Sequence, residues 1–184
     1  LQLEALAVVR DFRRVRIWNR TPARAEACAR EVADAYGVAA AVAASVEAAV
    51  RDADVVLTVT PSREPLVRAE WLASGVHVTA VGSDAPEKQE LDVSVLARAD
   101  VVVADRLAQC LRLGEIHHAV EAGALDPATA VELGDIVAGT ARGRTQDAQI
   151  TVCDLTGVGV QDAAIAALAV ERARALGLGR ELDA

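Results

Sequence analysis

Methionine is absent from the 184 residues. The chain as given does not open on a start codon, and its first residues already follow a helical pattern, with Leu3, Leu6 and Ala7 on one side and Arg10 and Arg13 opposite. Leu1 is therefore read as a truncation point, with more chain expected upstream. Aromatic residues make up only 2%. That leaves the core to Ala, Val and Leu, whose small side chains suit the close helix-on-sheet packing of α/β proteins. Cysteine is scarce as well: Cys28, Cys110 and Cys153 are odd in number, far apart and outside any CxxC or Cys/His cluster. This excludes a disulfide framework, gives no zinc signature, and points to reduced thiols in a cytoplasm. Positive charge is short, with 19 Lys and Arg against 27 Asp and Glu and a net charge of −8. Basic residues so scattered cannot line a phosphate backbone, so no nucleic acid partner is expected. Long apolar runs are missing too. Val38 to Val46 is too short and too rich in alanine to span a bilayer, and no signal peptide is visible, so no membrane partner is expected.

What is present is an alternation of short apolar runs and amphipathic stretches. Val15 to Trp18 reads as a strand, followed by a helix with Thr21 as N-cap, Pro22 in its first turn and Gly37 at its end. Val38 to Val42 reads as a short strand, and Ser45 caps a brief helix. Asp54 to Thr60 (DVVLTVT) is the clearest strand, β-branched nearly throughout and so expected to be buried on both faces. Val76 to Val81, Val101 to Ala104 and Ile150 to Cys153 are further strands. Helices are expected over Leu91 to Ala97, Leu107 to Ala122, Ala128 to Ala138 and Gln161 to Leu176. Strand and helix alternating at this spacing imply βαβ units and an α/β, Rossmann-like, doubly wound parallel sheet. Because the chain starts inside the opening helix, that sheet is expected to lack its first strand. The G-x-G-x-x-G/A phosphate loop, which belongs between that strand and that helix, is not tested by this sequence.

In an open parallel sheet ligands bind beyond the carboxyl ends of the strands. The side chains there are Asn19, Arg20 and Thr21; Thr60, Pro61 and Ser62; Gly82, Ser83 and Asp84; and Asp105. At the second strand an acidic residue normally holds the ribose 2′-hydroxyl of NAD, whereas an Arg accommodates the 2′-phosphate of NADP. Asn19 and Arg20 favour NADP(H) over NAD(H); the other reading is a solvated turn in which Asn19 caps locally. Lys88 is the sole lysine among the 19 basic residues. A compact ammonium is not interchangeable with guanidinium at a tight site, although a single lysine can also arise by chance. Asp84, four residues earlier, can cap the next turn or act as a general acid/base. His77 is expected to pack inside its strand. His117 and His118 are adjacent on a helix, where neighbours do not share a face, and no metal site is expected from them.

Val81-Gly82-Ser83-Asp84-Ala85-Pro86-Glu87-Lys88-Gln89-Glu90-Leu91 resembles the V-G-[GS]-D-x-P-x-K-x-E-L signature of the ornithine cyclodeaminase/mu-crystallin family. Val15 to Thr21 is similar to the cofactor-selecting strand of mu-crystallin, Asp54 to Thr60 to the family's D-V-[IV]-x-T-V-T strand, and Thr151 to Asp154 with Gly157 and Asp162 to its T-V-F-[DK]-S-x-G…[EQ]-D segment. The resemblance implies a homodimer with a Rossmann domain, here residues 1–140, and a separate substrate domain. Residues 141–184, with the last strand and helix, would return to that second domain. It further implies that Asp84 is the catalytic aspartate, that Lys88 lines the active site, and that Thr60 and Val81 to Asp84 contact NAD(H) or NADP(H). Together with Pro61 at the neighbouring strand end, these complete the cofactor crevice. Asn19, Arg20 and Thr21 match the positions that hold the 2′-phosphate. The implied reaction is conversion of ornithine to proline and ammonia through an imine. The alternatives are NADPH-dependent reduction of a cyclic ketimine, a non-catalytic binding protein, and an inert fragment. Leu155 stands where the family carries Ser, which removes one polar contact near the nicotinamide.

Overall fold

A computed structural model describes residues 2–180; Leu1 and the last four residues of the expected tail lie outside it. After α1 (Gln2–Ala7) come β1 (Arg14–Ile17), α2 (Pro22–Tyr36) and β2 (Ala39–Val42). Next are α3 (Val46–Val50), β3 (Val55–Thr58), β4 (His77–Ala80), α4 (Val93–Arg98) and β5 (Val101–Ala104). Then follow α5 (Leu107–Cys110), α6 (Glu115–Glu121), β6 (Val131–Glu132), α7 (Leu133–Ala138), β7 (Thr151–Asp154) and α8 (Gly159–Ala175). Every strand pair is parallel. The strands form two sheets, β1-β2 and β3-β4-β7-β5-β6. The fold class is α/β, as expected.

Local chemistry explains several element ends. Ser45 Oγ accepts the Ala48 N–H at 3.0 Å and starts α3. Asp92 does the same for Ser94 at the head of α4. Gly37 ends α2 with φ 64°, a left-handed conformation in which its N–H reaches the Ala33 carbonyl at 2.9 Å. Thr21 stands at the N-cap of α2, but its hydroxyl makes no cap bond.

Three expectations need correction. The strand Thr151–Asp154 does not leave for another domain. It lies at the centre of the larger sheet, paired with β4 on one edge and β5 on the other. All four of its residues are buried, which requires neighbours on both edges and both faces. The helix expected over Leu107 to Ala122 is two helices, because Gly114 between them has φ 94°, outside the helical region. The helix expected over Ala128 to Ala138 begins as a 3-10 turn at Pro127–Thr129. Val131 then pairs with Val103 of β5 before α7 starts.

The core is built from small aliphatics, with Val78, Val152, Ala104, Val95, Leu91 and Ile116 almost fully buried. Into it the chain also sinks three carboxylates, Glu90, Glu115 and Asp154, none more than 1% exposed. A buried charge is costly unless hydrogen-bonded, and each of these accepts backbone N–H groups. Asp154, at the end of β7, accepts from Ile116 at 2.9 Å and from Glu115. A side chain on Gly114 would meet Asp154 Oδ2 at 2.6 Å, so only glycine lets α6 start against that carboxylate. Glu115 in turn accepts from Glu90 at 2.8 Å and Leu91 at 2.9 Å. α8 is different: it buries none of its residues and leaves Ile165 and Val170 exposed.

Burial pushes the Glu115 carboxyl up to about 8 and Asp154 up to about 7, against the opposing pull of the N–H bonds they accept. In the unfolded chain both groups release their protons near their ordinary values of 4.5 and 3.8. Between those limits the folded state binds more protons than the unfolded state, so stability falls as pH rises. Urea unfolding at pH 5.5 and pH 8 is expected to show a loss of about 1–3 kcal/mol at the higher pH. Stability that is flat or rising over that window would contradict this.

Candidate active site

The carboxyl ends of β3 and β4 lie side by side, since Thr58 pairs with Ala80 in the ladder. Just past them Val59, Thr60, Pro61, Val81, Gly82, Asp84 and Lys88 line an open cleft of about 290 Å3. Of the residues singled out from the sequence, Thr60, Pro61, Val81, Gly82, Asp84 and Lys88 therefore face one space. A larger concavity of about 540 Å3 runs along α8 alone, lined by Ala166, Ala167, Val170, Glu171 and Arg174. With a single helix for its wall, it lacks the convergent polar groups of a reaction site.

Asp84 and Lys88 form an ion pair with Nζ 2.5 Å from Oδ1. The Lys88 hydrogen bond is the largest of the influences that hold the Asp84 carboxyl below its ordinary range. Asp84 is 57% exposed on its side chain and Lys88 only 26%, so the lysine is anchored and the carboxylate is presented to solvent. The loop between them is held from beneath. Ser83, 2% exposed, turns inward and donates its hydroxyl to the Lys88 carbonyl. His118 Nε2 meets the same carbonyl at 2.8 Å. Ser83 is thus a support of the loop rather than part of the cleft wall.

Glu90 is the residue that sequence reasoning passed over. Its carboxylate accepts the Thr60 N–H at 2.5 Å and the Gly82 N–H at 2.8 Å, clamping the two strand ends that form the cleft. Its own carbonyl accepts from Leu66 at 2.7 Å and Val67 at 3.0 Å. The fit around Gly82 is so close that a β-carbon there would sit 2.1 Å from the Thr60 carbonyl oxygen and 2.6 Å from the Glu90 carboxylate. A single Glu beside Leu91 gives no sign in sequence of being buried. The one available signal was its place within the Asp84–Leu91 motif.

Asn19, Arg20 and Thr21 follow β1 and do not line this cleft. Asn19 Oδ1 accepts the Thr21 N–H at 2.8 Å, the local turn that was the simpler alternative for Asn19. Arg20 is exposed and makes no side-chain hydrogen bond or ion pair among the described residues. His77 packs in β4 between Thr151 at 2.7 Å and Thr79 at 3.0 Å. Burial, and then the nearby Arg144, lower its pKa and keep it neutral. His117 and His118 do not point apart as expected: their ring centroids are 5.0 Å apart.

Comparison with known proteins gives these features a setting. The model of the ornithine cyclodeaminase/mu-crystallin family matches residues 1–177. An uncharacterized cyclodeaminase of Sinorhizobium fredii is 49% identical over 174 residues, 94% of this chain and 53% of the relative. Among solved structures, an archaeal alanine dehydrogenase dimer with bound NAD superposes with a TM-score of 0.93 at 38% identity, over 99% of this chain and 56% of that one. The Δ1-pyrroline-2-carboxylate reductase of Thermococcus litoralis, in complex with NADH and L-proline, gives 0.94 at 28% identity, over 98% and 56%. The chain spans just over half the length of the relatives it matches. It belongs to the ornithine cyclodeaminase/mu-crystallin family.

Proposed function

We propose that this chain is the nucleotide-binding portion of an NAD(P)-dependent enzyme that interconverts an amine and an imine at the α-carbon of an amino acid, with the cyclisation of ornithine to proline and ammonia as its reaction. The observation that carries the reading is the Asp84–Lys88 pair at the mouth of a cleft formed by two adjacent parallel strand ends. A nicotinamide dinucleotide suits the residues present. The cleft, bounded by Thr60, Val81 and Gly82, opens beyond two adjacent parallel strand ends, where nucleotides bind in open α/β sheets. The unpartnered Arg20 beyond β1 offers a cation for a 2′-phosphate. When bound, the nicotinamide supplies or accepts the hydride.

The chain's own residues would handle protons and position. Asp84, kept ionised by Lys88 and open to solvent, would take a proton from the substrate ammonium and return it as the product amine forms. Lys88, once drawn from Asp84 by substrate, leaves a cation free to meet the substrate carboxylate. The substrate domain would be completed by chain beyond this segment, with exposed α8 docking on it in a homodimer. A second reading is reduction of a cyclic imine. It is favoured by Arg20, which suits the reductase branch, and by the likeness to a structure holding NADH and L-proline.

The two readings separate in one assay on the native protein. Cyclisation of L-ornithine yields proline and ammonia with no net consumption of NAD+, whereas the reductase consumes NAD(P)H when given Δ1-pyrroline-2-carboxylate. Cofactor binding with neither activity would overturn both. In whichever assay is positive, Asp84→Asn is expected to lower turnover by at least about 100-fold while leaving cofactor affinity within a factor of about two, since general acid/base groups contribute 10²–10⁴-fold. Turnover retained in that variant removes Asp84 from the chemistry. Arg20→Ala is expected to weaken NADPH about tenfold or more and NADH hardly at all, as loss of a charge-assisted bond to phosphate requires. Equal effects on the two cofactors, read by fluorescence titration, would contradict this role for Arg20.

A further inference from the structure

α6 carries two neighbouring histidines that the proposed reaction does not use. His118 Nε2 lies 2.8 Å from the Lys88 carbonyl oxygen. A carbonyl can only accept, so Nε2 bears the proton and donates, which leaves Nδ1 as the nitrogen available to an ion. Metal-binding histidines are held in this way: one nitrogen binds the ion while the other N–H is fixed by a backbone carbonyl, which sets tautomer and ring orientation. His117 Nε2 is 3.5 Å from Glu121 Oε2. Glu121 follows His118 by three residues and His117 by four, the two separations that bring helical side chains over one another. One ligand atom from each of the three residues lies within 4.8 Å of the other two. Ligand atoms about 3.3 Å apart would match bonds of about 2.0–2.2 Å in a tetrahedral zinc site. Glu121 is 68% exposed and His117 16%. The carboxylate is thus free to close that gap, and a fourth coordination position opens to solvent.

We propose that His117, His118 and Glu121 form a binding site for a divalent first-row transition ion, with zinc the natural occupant and water as its fourth ligand. Two imidazoles and one carboxylate suit zinc and disfavour magnesium or calcium, which take oxygen donors. The site lies apart from the cleft but touches it mechanically, because His118 holds the carbonyl of Lys88 from which the Asp84 partner projects.

The test uses the tag-free chain, stripped with a chelator and titrated with zinc against a chromophoric competitor. The native chain is expected to take up one equivalent, and His117→Ala and His118→Ala to bind at least tenfold more weakly. Glu121→Gln, an exposed change that leaves the fold intact, is expected to weaken binding as well. Cys28→Ser, at the one cysteine that is not buried, is expected to leave affinity unchanged. Cobalt in place of zinc should give a nitrogen- and oxygen-ligated spectrum without thiolate charge transfer. The proposal is overturned if the native chain takes up no zinc, if the histidine and Glu121 variants bind as the native chain does, or if binding is lost with Cys28.

Discussion

Three buried carboxylates tie the centre of the sheet to the strand ends that line the cleft. Asp154 ends β7 and seats the start of α6; Glu115, the first residue of α6, holds the backbone at Glu90 and Leu91; and Glu90 holds Thr60 and Gly82 at the ends of β3 and β4. Each link is a charged or protonated acid accepting backbone N–H groups in a dry interior, where an unmade bond costs more than a made one yields. The position of the cleft wall is therefore not a property of the loops alone. It is inherited, one acid after another, from the most buried strand of the fold. The two glycines that border this chain, Gly82 and Gly114, are the places where a β-carbon would strike a carboxylate.

Much of this was legible from the residues and some was not, for physical reasons. Runs such as Asp54 to Thr60 announce strands because β-branched side chains favour extended backbone, but the expected burial on both faces does not hold: β3 buries only Val56 and Thr58 and leaves Val55 exposed. Asp84 and Lys88, four residues apart in a Pro-containing loop, do meet. The order of the strands left no local trace, because a parallel neighbour is chosen by long-range packing. β7, last in sequence and central in space, was for that reason assigned to another domain. The break at Gly114 had a local sign, a glycine ahead of Glu115, that apolar periodicity on both sides concealed. Glu90, Glu115 and Asp154 were hidden most completely. An acid at a helix start or strand end reads as a solvated cap, and only the fold shows that the solvent is absent.

The same reasoning explains why Ser83 and Asp84 behave differently from their reading as a row of cofactor contacts. Ser83 is drawn inward by the Lys88 carbonyl, and that inward turn leaves Asp84 as the outward residue of the loop. The loop has one face turned to its supports and one turned to the cleft. His118 adds a second brace to the supporting face from α6, the helix that Asp154 seats. Support and cleft thus share their origin in β7, though its four residues reach no part of the cleft themselves.

The account's central claim is that the Glu90 carboxylate shapes the cleft by holding Thr60 and Gly82 together. Fluorescence titration with NADH, on the native protein and on Glu90→Gln well below either unfolding midpoint, tests it directly. A glutamine can accept one of the two N–H groups but turns its amide NH2, a donor, toward the other. The account predicts that the native protein binds NADH and that the variant, with an unchanged far-ultraviolet circular dichroism spectrum, binds it at least about tenfold more weakly. Equal affinity in the two proteins would contradict it.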